Sequence, residues 1–382
     1  MVYLLAAFLV SLVITMLLVR FNALHGRFSF DHQTTGAQKY HDRPVPRIGG
    51  VSIVIAMLAV MVLAIFREPG LGYEPLVLLA VAMPAFLGGL AEDLTKKVRV
   101  LSRLAFAMIS GMAAYYFLGA TLDRLNIIGI DWLLQFGPIS FVVTAFAIAG
   151  AANAINIIDG YNGLAAVVSV MIFAGFAYVS YYVGDRLILT VSVGMMGSIV
   201  GFLVWNYPRG LIFLGDGGAY FIGFMIGVLS VLMLARHPNV SAWFPLLLCI
   251  YPVFETLFSM YRKKLLRGQS PGVPDGVHLH MLIYKRLVRW AVGSTDIKHR
   301  TQRNAMTSPY LWLLSSFAVL PAVLFWQNEY LLMLFVALFS ILYVVLYRRL
   351  VLFRMPKWMV ISRKHKLGAL AAKKKASRRR RW

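Results

Sequence analysis

The stretch FLGDGGAYFIGFMIGVLSVLMLAR, residues 213–236, decides the fold class. From Gly217 to Ala235 it holds no charged side chain, and about 20 mostly apolar residues suffice to cross the hydrocarbon of a bilayer as a helix. Asp216 stands just ahead of that run, flanked by Gly215, Gly217 and Gly218. A carboxylate at the edge of lipid is expensive and is retained mainly where it faces a cavity or a partner. The same stretch therefore reads as a membrane span and as a candidate site at its start.

The rest of the chain repeats the first half of that reading. Of 382 residues, 60% are hydrophobic and 14% charged, with a mean hydropathy of +0.73, far from a soluble globular average. Eleven segments qualify as spans: 2–20, 47–66, 74–92, 103–119, 139–157, 163–183, 187–205, 217–235, 242–261, 308–326 and 329–350. The first has no charged leader and no small-residue cleavage site, so it reads as a span, not a removable signal. The one cysteine, Cys249, falls inside a span and reads as a structural thiol. The expected class is an all-α polytopic membrane protein of about 11 transmembrane helices.

Lys and Arg set the orientation. Of 38, 34 fall in the odd-numbered loops and the C-terminal region; Arg67, Arg124, Arg186 and Arg236 alone fall in the even loops. This puts the N-terminus outside and the C-terminus in the cytoplasm. A membrane domain is expected over 1–350, with cytoplasmic loops at 21–46, 93–102, 158–162, 206–216 and 262–307, followed by a basic tail at 351–382. The tail (Lys373, Lys374, Lys375, Arg378 to Arg381) suits an anionic leaflet, each charge contributing about 1 kcal/mol near the surface. It lacks the aromatic interleaving of a nucleic-acid binder, so no nucleic-acid partner is expected. No internal repeat of the transporter kind is visible.

The fifteen acidic residues are the scarce resource. Glu92, Asp93, Asp159, Asp216 and Glu255 lie within or at the ends of apolar segments, and carboxylates gathered at one membrane face suggest a divalent cation with phosphates. In the first cytoplasmic loop, Pro44-Val45-Pro46 favours an extended chain leading to Arg47 and the Gly49-Gly50 pair, where a backbone or ligand can approach closely. Arg43 and Arg47 read equally as phosphate grips or as ordinary positive-inside charges. Glu92 and Asp93 are neighbours about 100° apart on a helix. They can reach one metal or phosphate cluster from a helix end, or simply end a helix beside Lys96 and Lys97.

Asn153 and Asn156 share a helix face, and Asp159-Gly160 and Asn162-Gly163 are turn signals. Capping explains one of these polar residues, not four beside a bilayer. Asp216 reads as an N-cap or as a metal ligand; its glycines favour the second view, by leaving backbone N–H groups bare at a helix start. His278 and His280 project to one side of an extended stretch. As donors they suit a diphosphate; as a zinc site they lack a completing ligand.

These motifs, in this order and in these loops, resemble the polyprenyl-phosphate N-acetylhexosamine-1-phosphate transferases, the bacterial relatives of phospho-N-acetylmuramoyl-pentapeptide transferase. The resemblance covers roughly residues 1–350. It implies attack by a polyprenyl phosphate, typically undecaprenyl phosphate, on the sugar-proximal phosphate of a UDP-activated N-acetylated sugar, with UMP released and Mg²⁺ (or Mn²⁺) required. It implies Asp216 as the principal metal ligand and Asp93 and Glu92 in metal, phosphate or base roles. Asn153, Asn156 and Asp159 would organise nucleotide and metal, and His278 and His280 would meet the diphosphate. Lys97, Arg43, Arg47 and Asn162 are further substrate-binding candidates. The partners implied are the nucleotide sugar, undecaprenyl phosphate and membrane lipid, with a homodimer left open.

Three departures matter: Glu92 for the family's first aspartate, Asn162 for the second Asp of an Asp-Gly-x-Asp-Gly pattern, and Met281 where many relatives have a further histidine. They resemble the branch that starts O-antigen or other surface polysaccharides, often on 6-deoxy-N-acetylhexosamines. Two other classes compete. A transporter would hold its acids near the midplane, and a non-catalytic membrane scaffold would have no physical need of this acid, Asn and His set.

Overall fold

The computed structural model describes residues 1–29, 44–266, 268, 276–288 and 300–353. The described chain is helical throughout: α1 Val2–Arg20, α2 Asn22–Ser29, α3 Gly49–Arg67, α4 Glu74–Thr95, α5 Val100–Leu118, α6 Ile130–Leu134, α7 Gly137–Ile158 and α8 Leu164–Val183. There follow α9 Arg186–Asn206, α10 Gly215–Arg236, α11 Trp243–Leu248, α12 Ile250–Tyr261, α13 Leu279–Ile283, α14 Arg300–Leu324 and α15 Glu329–Val351. Among the described residues ten helices are long and apolar enough to cross a membrane. They fall where ten of the eleven expected spans were placed.

The remaining expected span, 242–261, is present but broken. α11 ends at Leu248, and α12 begins at Ile250. Pro252 has no N–H to donate, and its ring would meet the carbonyl four residues back, that of Leu248. The Cys249 N–H turns back to the Pro245 carbonyl (3.1 Å), and the Val253 N–H takes the Cys249 carbonyl (3.2 Å). Hydropathy reports that such a segment is apolar but not that its ladder is interrupted.

α10 is the centre of the bundle. In its most apolar window 89% is buried, against 17% for α1 and 22% for α15, so those two are lipid-facing and α10 is enclosed. Without a hydrophobic drive between helices in lipid, small residues that let backbones approach supply the packing. Gly223 and Gly227 of α10 lie against Ala151, Ala152 and Ile148 of α7. At its start, Gly218 meets Gly50 of α3, and Gly89 of α4 meets Asp216 and Gly217. A methyl group at Gly89 would stand 2.6 Å from the Asp216 carbonyl carbon and oxygen. Gly89→Ala is therefore expected to part α4 from α10. Overpacking costs typically about 1–3 kcal/mol where neighbours can shift, and here they are backbone. A thermal-unfolding midpoint below that of the parent protein in detergent is the expected reading.

Pro84 lies inside α4, and the neighbouring Ala85 N–H is met by Ser110 Oγ of α5 at 2.9 Å. Side-chain rescue of this kind makes proline tolerable within a span. Three arginines of the far end are tied down by protein groups. Arg124 donates to the carbonyls of His237 (3.0 Å) and Val240 (2.9 Å), Arg186 pairs with Glu68 (3.3 Å), and Arg236 pairs with Glu74 and Asp185.

Candidate active site

Antiparallel neighbours bring the end of α4, the starts of α3, α5 and α10, and the end of α7 to one end of the bundle. The chain before α3 is extended, as its prolines require, and it is held by the segment before α10. The Phe213 N–H donates to the Pro46 carbonyl (2.8 Å), Gly49 N–H to the Phe213 carbonyl (3.0 Å) and Gly50 N–H to the Leu214 carbonyl (2.9 Å). Arg47 is thereby fixed beside the first turn of α10.

Asp216 is the meeting point. Its Oδ1 accepts from Asn156 Nδ2 at 2.9 Å and lies 3.4 Å from Arg47 Nη2, while Oδ2 is paired with Arg103. The Arg103 guanidinium also lies over the Tyr220 ring, 5.7 Å from its centroid, and the Tyr220 hydroxyl donates to Asn153 Oδ1 at 3.3 Å. The predicted pair Asn153 and Asn156 thus does share a face, and it faces α10.

Asp93 is buried, and both its oxygens are used by the start of α10. Oδ1 accepts from the Asp216 N–H (2.9 Å), Oδ2 from the Gly217 N–H (2.8 Å), and Arg47 Nε lies 3.6 Å from Oδ1. This corrects the expectation about the glycines. The N–H groups of Asp216 and Gly217 are not left bare for a ligand: both are taken by Asp93, and the space beside Gly215, Gly217 and Gly218 is filled by the Arg47 carbonyl, Leu90 of α4 and Gly50 of α3. Asp93 acts as a cap supplied by another helix, which satisfies donors that a helix start cannot satisfy itself and sets a negative charge against the positive end of the helix dipole.

Glu92 points elsewhere. Its Oε2 accepts from the Val98 N–H at 2.7 Å, closing the turn between α4 and α5. Lys97 is exposed in that turn, and Lys96 folds back to the Asp93 carbonyl. Asp159 follows α7, part-buried. Burial pushes its carboxyl up to about 7, against the opposing pull of the Arg47 guanidinium. A carboxyl that titrates near neutrality is suited to proton transfer.

Asn162 lies apart from Asp216. Its N–H donates to Asn304 Oδ1 (2.7 Å), its Nδ2 to the Pro208 carbonyl (3.1 Å), and its carbonyl accepts from Ser308 Oγ (2.6 Å). It joins the α7–α8 turn to α14 and to the segment after α9. Arg43, and the tail over 354–382, lie outside the described residues.

The histidines form a second group beside the first. His278 precedes α13 and His280 lies in its first turn; they share a side as expected, through a helix start and not an extended strand, with rings parallel at 5.2 Å. His280 lies against Gly160 and edge-on to Tyr161, at 5.6 Å between ring centroids, which joins α13 to the turn carrying Asp159. His278 Nδ1 lies 2.9 Å from Glu255 Oε1.

Two residues of this region were not singled out as site residues from sequence. Arg103 reads there as one more cytoplasmic charge; its signal is a basic residue inside the first turn of an apolar helix. Glu255 is visible as an acid within a span, yet only the tertiary structure gives it a partner.

The oxygen donors here fit a hard divalent cation. Among the described residues no cluster of three or more His, Cys, Asp or Glu could hold a metal. Mg²⁺, however, commonly uses one or two carboxylates, with waters and substrate phosphates completing its shell. Asp216 has the hard oxygens for this, and Asp93 could join only by sharing those that cap α10.

An enclosed polytopic helical bundle, with a carboxylate, guanidinium and amide cluster at one end, is thus the class defined by fold and site. A family profile described as Glycosyl transferase family 4 matches residues 75–234, which include Glu92, Asp93, Asn153, Asn156, Asp159 and Asp216. A probable undecaprenyl-phosphate N-acetylglucosaminyl 1-phosphate transferase of Bacillus subtilis (strain 168) is 31% identical over 246 residues, covering 64% of this chain and 66% of that protein. An undecaprenyl-phosphate alpha-N-acetylglucosaminyl 1-phosphate transferase of Thermotoga maritima is 28% identical over 254 residues, covering 66% and 73%. A phospho-N-acetylmuramoyl-pentapeptide-transferase of Streptococcus pneumoniae is 29% identical over 265 residues, covering 65% and 79%. The chain belongs to the polyprenyl-phosphate N-acetylhexosamine-1-phosphate transferases of glycosyltransferase family 4. It spans about two thirds of the length of the first of these relatives.

Proposed function

We propose that the chain transfers an N-acetylated sugar-1-phosphate from a UDP-sugar to undecaprenyl phosphate, forming a polyprenyl-diphospho-sugar and UMP. The observation that carries this is the gathering of Asp216, Arg47, Arg103 and Asn156 at one end of a lipid-embedded bundle. Arginines that neutralise a carboxylate are equally suited to phosphate oxygens, and the carboxylate is equally suited to a cation. A cation with a diphosphate is therefore the matched pair of charges for this pair of groups.

In the reaction, an oxygen of the lipid phosphate bonds to the sugar-proximal phosphorus and the bond from that phosphorus to the UMP oxygen breaks. Phosphoryl transfer of this kind is chiefly positioning and charge neutralisation. Arg47 and Arg103 hold the diphosphate, Asn156 orients Asp216, and Asp159 can move a proton near neutral pH. Asp216 would hold Mg²⁺, which when bound would supply charge stabilisation at the phosphate oxygens. The excess of Lys and Arg at this end supports a cytoplasmic face for the site, where nucleotide sugars are available, with the N-terminus outside and the membrane read as a bacterial inner membrane.

The departures at Glu92, Asn162 and Met281 favour a role in initiating O-antigen or another surface polysaccharide. The names of the Bacillus and Thermotoga relatives make UDP-N-acetylglucosamine a necessary member of any donor panel beside the 6-deoxy sugars. Purified protein is expected to release UMP only when undecaprenyl phosphate, Mg²⁺ and a UDP-N-acetylhexosamine are all present, and EDTA is expected to stop it. Folded protein that neither releases UMP nor binds UDP would overturn the proposal.

A further inference from the structure

The Asp216 cluster leaves a second buried carboxylate without a role. Glu255 of α12 has 0% of its surface exposed. Its Oε1 is met by His278 Nδ1 (2.9 Å) and by the Leu279 N–H (3.2 Å), and its Oε2 accepts from the Tyr343 hydroxyl (2.8 Å). Burying a carboxylate is costly unless it is paired and hydrogen-bonded, and packing α12 against α15 would be served as well by an apolar side chain. What the carboxylate adds is a fixed orientation for one imidazole. To bond Glu255, His278 must carry a proton on Nδ1, whether neutral or cationic. Its Nε2 has no hydrogen-bond partner among the described residues. The ring of His280 lies parallel to that of His278, 5.2 Å away.

We propose that Glu255 is a positioning residue: it holds His278 by Nδ1 and so presents Nε2 to the diphosphate of the nucleotide donor. This rests on the transferase reading above. The test uses full-length protein labelled with ¹⁵N-histidine, in which the His278 signals are those lost in His278→Asn. In the parent protein Nδ1 should be protonated, and added UDP should move the Nε2 signal. Glu255→Gln should change the His278 pattern while the other histidine signals stay in place, and Tyr343→Phe should leave it nearly as it is.

In the UMP-release assay Glu255→Gln should lower kcat by about 10- to 100-fold, by analogy with the loss of a group that orients a metal-ligating histidine. The double variant Glu255→Gln with His278→Asn should be no slower than His278→Asn alone, because the first residue acts through the second. A His278 pattern unchanged by Glu255→Gln would overturn the proposal. So would an Nε2 signal indifferent to UDP, or losses that multiply in the double variant. A pattern that responds to both Glu255→Gln and UDP, in a protein that turns over no donor, would support the proposal and count against the transferase reading alone.

Discussion

Asp216→Asn is expected to lower kcat for UMP release by at least about 10³-fold, close to 4 kcal/mol of transition-state stabilisation, while the affinity for UDP is kept or rises. The asymmetry follows from the contacts. Asn at 216 can still accept from Asn156, but it offers an amide where Arg103 needs an anion and a divalent cation needs a charged oxygen. Arg103 loses its carboxylate partner and Arg47 loses one of its two, so their positive charge becomes more available to a diphosphate. Nucleotide binding therefore has no reason to weaken, although the group that would hold the cation is gone. Stability should fall only modestly, since Arg47 keeps Asp93 and Arg103 keeps the Tyr220 ring. UDP binding measured by calorimetry beside the turnover assay separates the two quantities. Turnover retained in Asp216→Asn would remove Asp216 from its proposed place as the metal ligand.

Asp93→Asn should behave differently, losing stability and turnover together. The Asp93 carboxylate takes the N–H groups of Asp216 and Gly217, one on each oxygen. An asparagine has a single carbonyl oxygen, so one backbone N–H would face an amide N–H in a buried place. Leaving a buried donor unsatisfied costs about 1–3 kcal/mol, and loss of the negative charge at the helix start adds to it. The first turn of α10 carries Asp216, so any slackening there displaces the catalytic centre directly. The expected pair of results is a lower unfolding midpoint in detergent and slower UMP release. A parent-like midpoint with turnover abolished would instead make Asp93 a direct participant in the chemistry.

Much of this was legible in the chain. Hydropathy is a local quantity, so the spans fell close to the helices that form. The site residues stood out because a carboxylate, an amide pair or a pair of histidines beside lipid needs a reason. The break at Cys249 was less visible, since an average over a window does not register that Pro252 removes one hydrogen bond. The glycines about Asp216 could equally have admitted a ligand or a backbone. Only the positions of α3 and α4 show that they admit backbone. Arg103 was indistinguishable from its cytoplasmic neighbours until α5 was set beside α10.

The sequence by itself determined that the chain crosses a membrane many times, that Glu92, Asp93, Asp159 and Asp216 stand at the ends of apolar segments on the side rich in Lys and Arg, and which family of motifs it carries. Each of these depends on residues near one another in the chain or on simple counts. The tertiary structure alone decided the division of labour within the Glu92-Asp93 pair. Adjacent residues on a helix point about 100° apart, so one could turn inward and the other could not. Which one did so depended on where the first turn of α10 came to rest. Asp93 met its two N–H groups, and Glu92, turned away from them, met the N–H of Val98 in the turn.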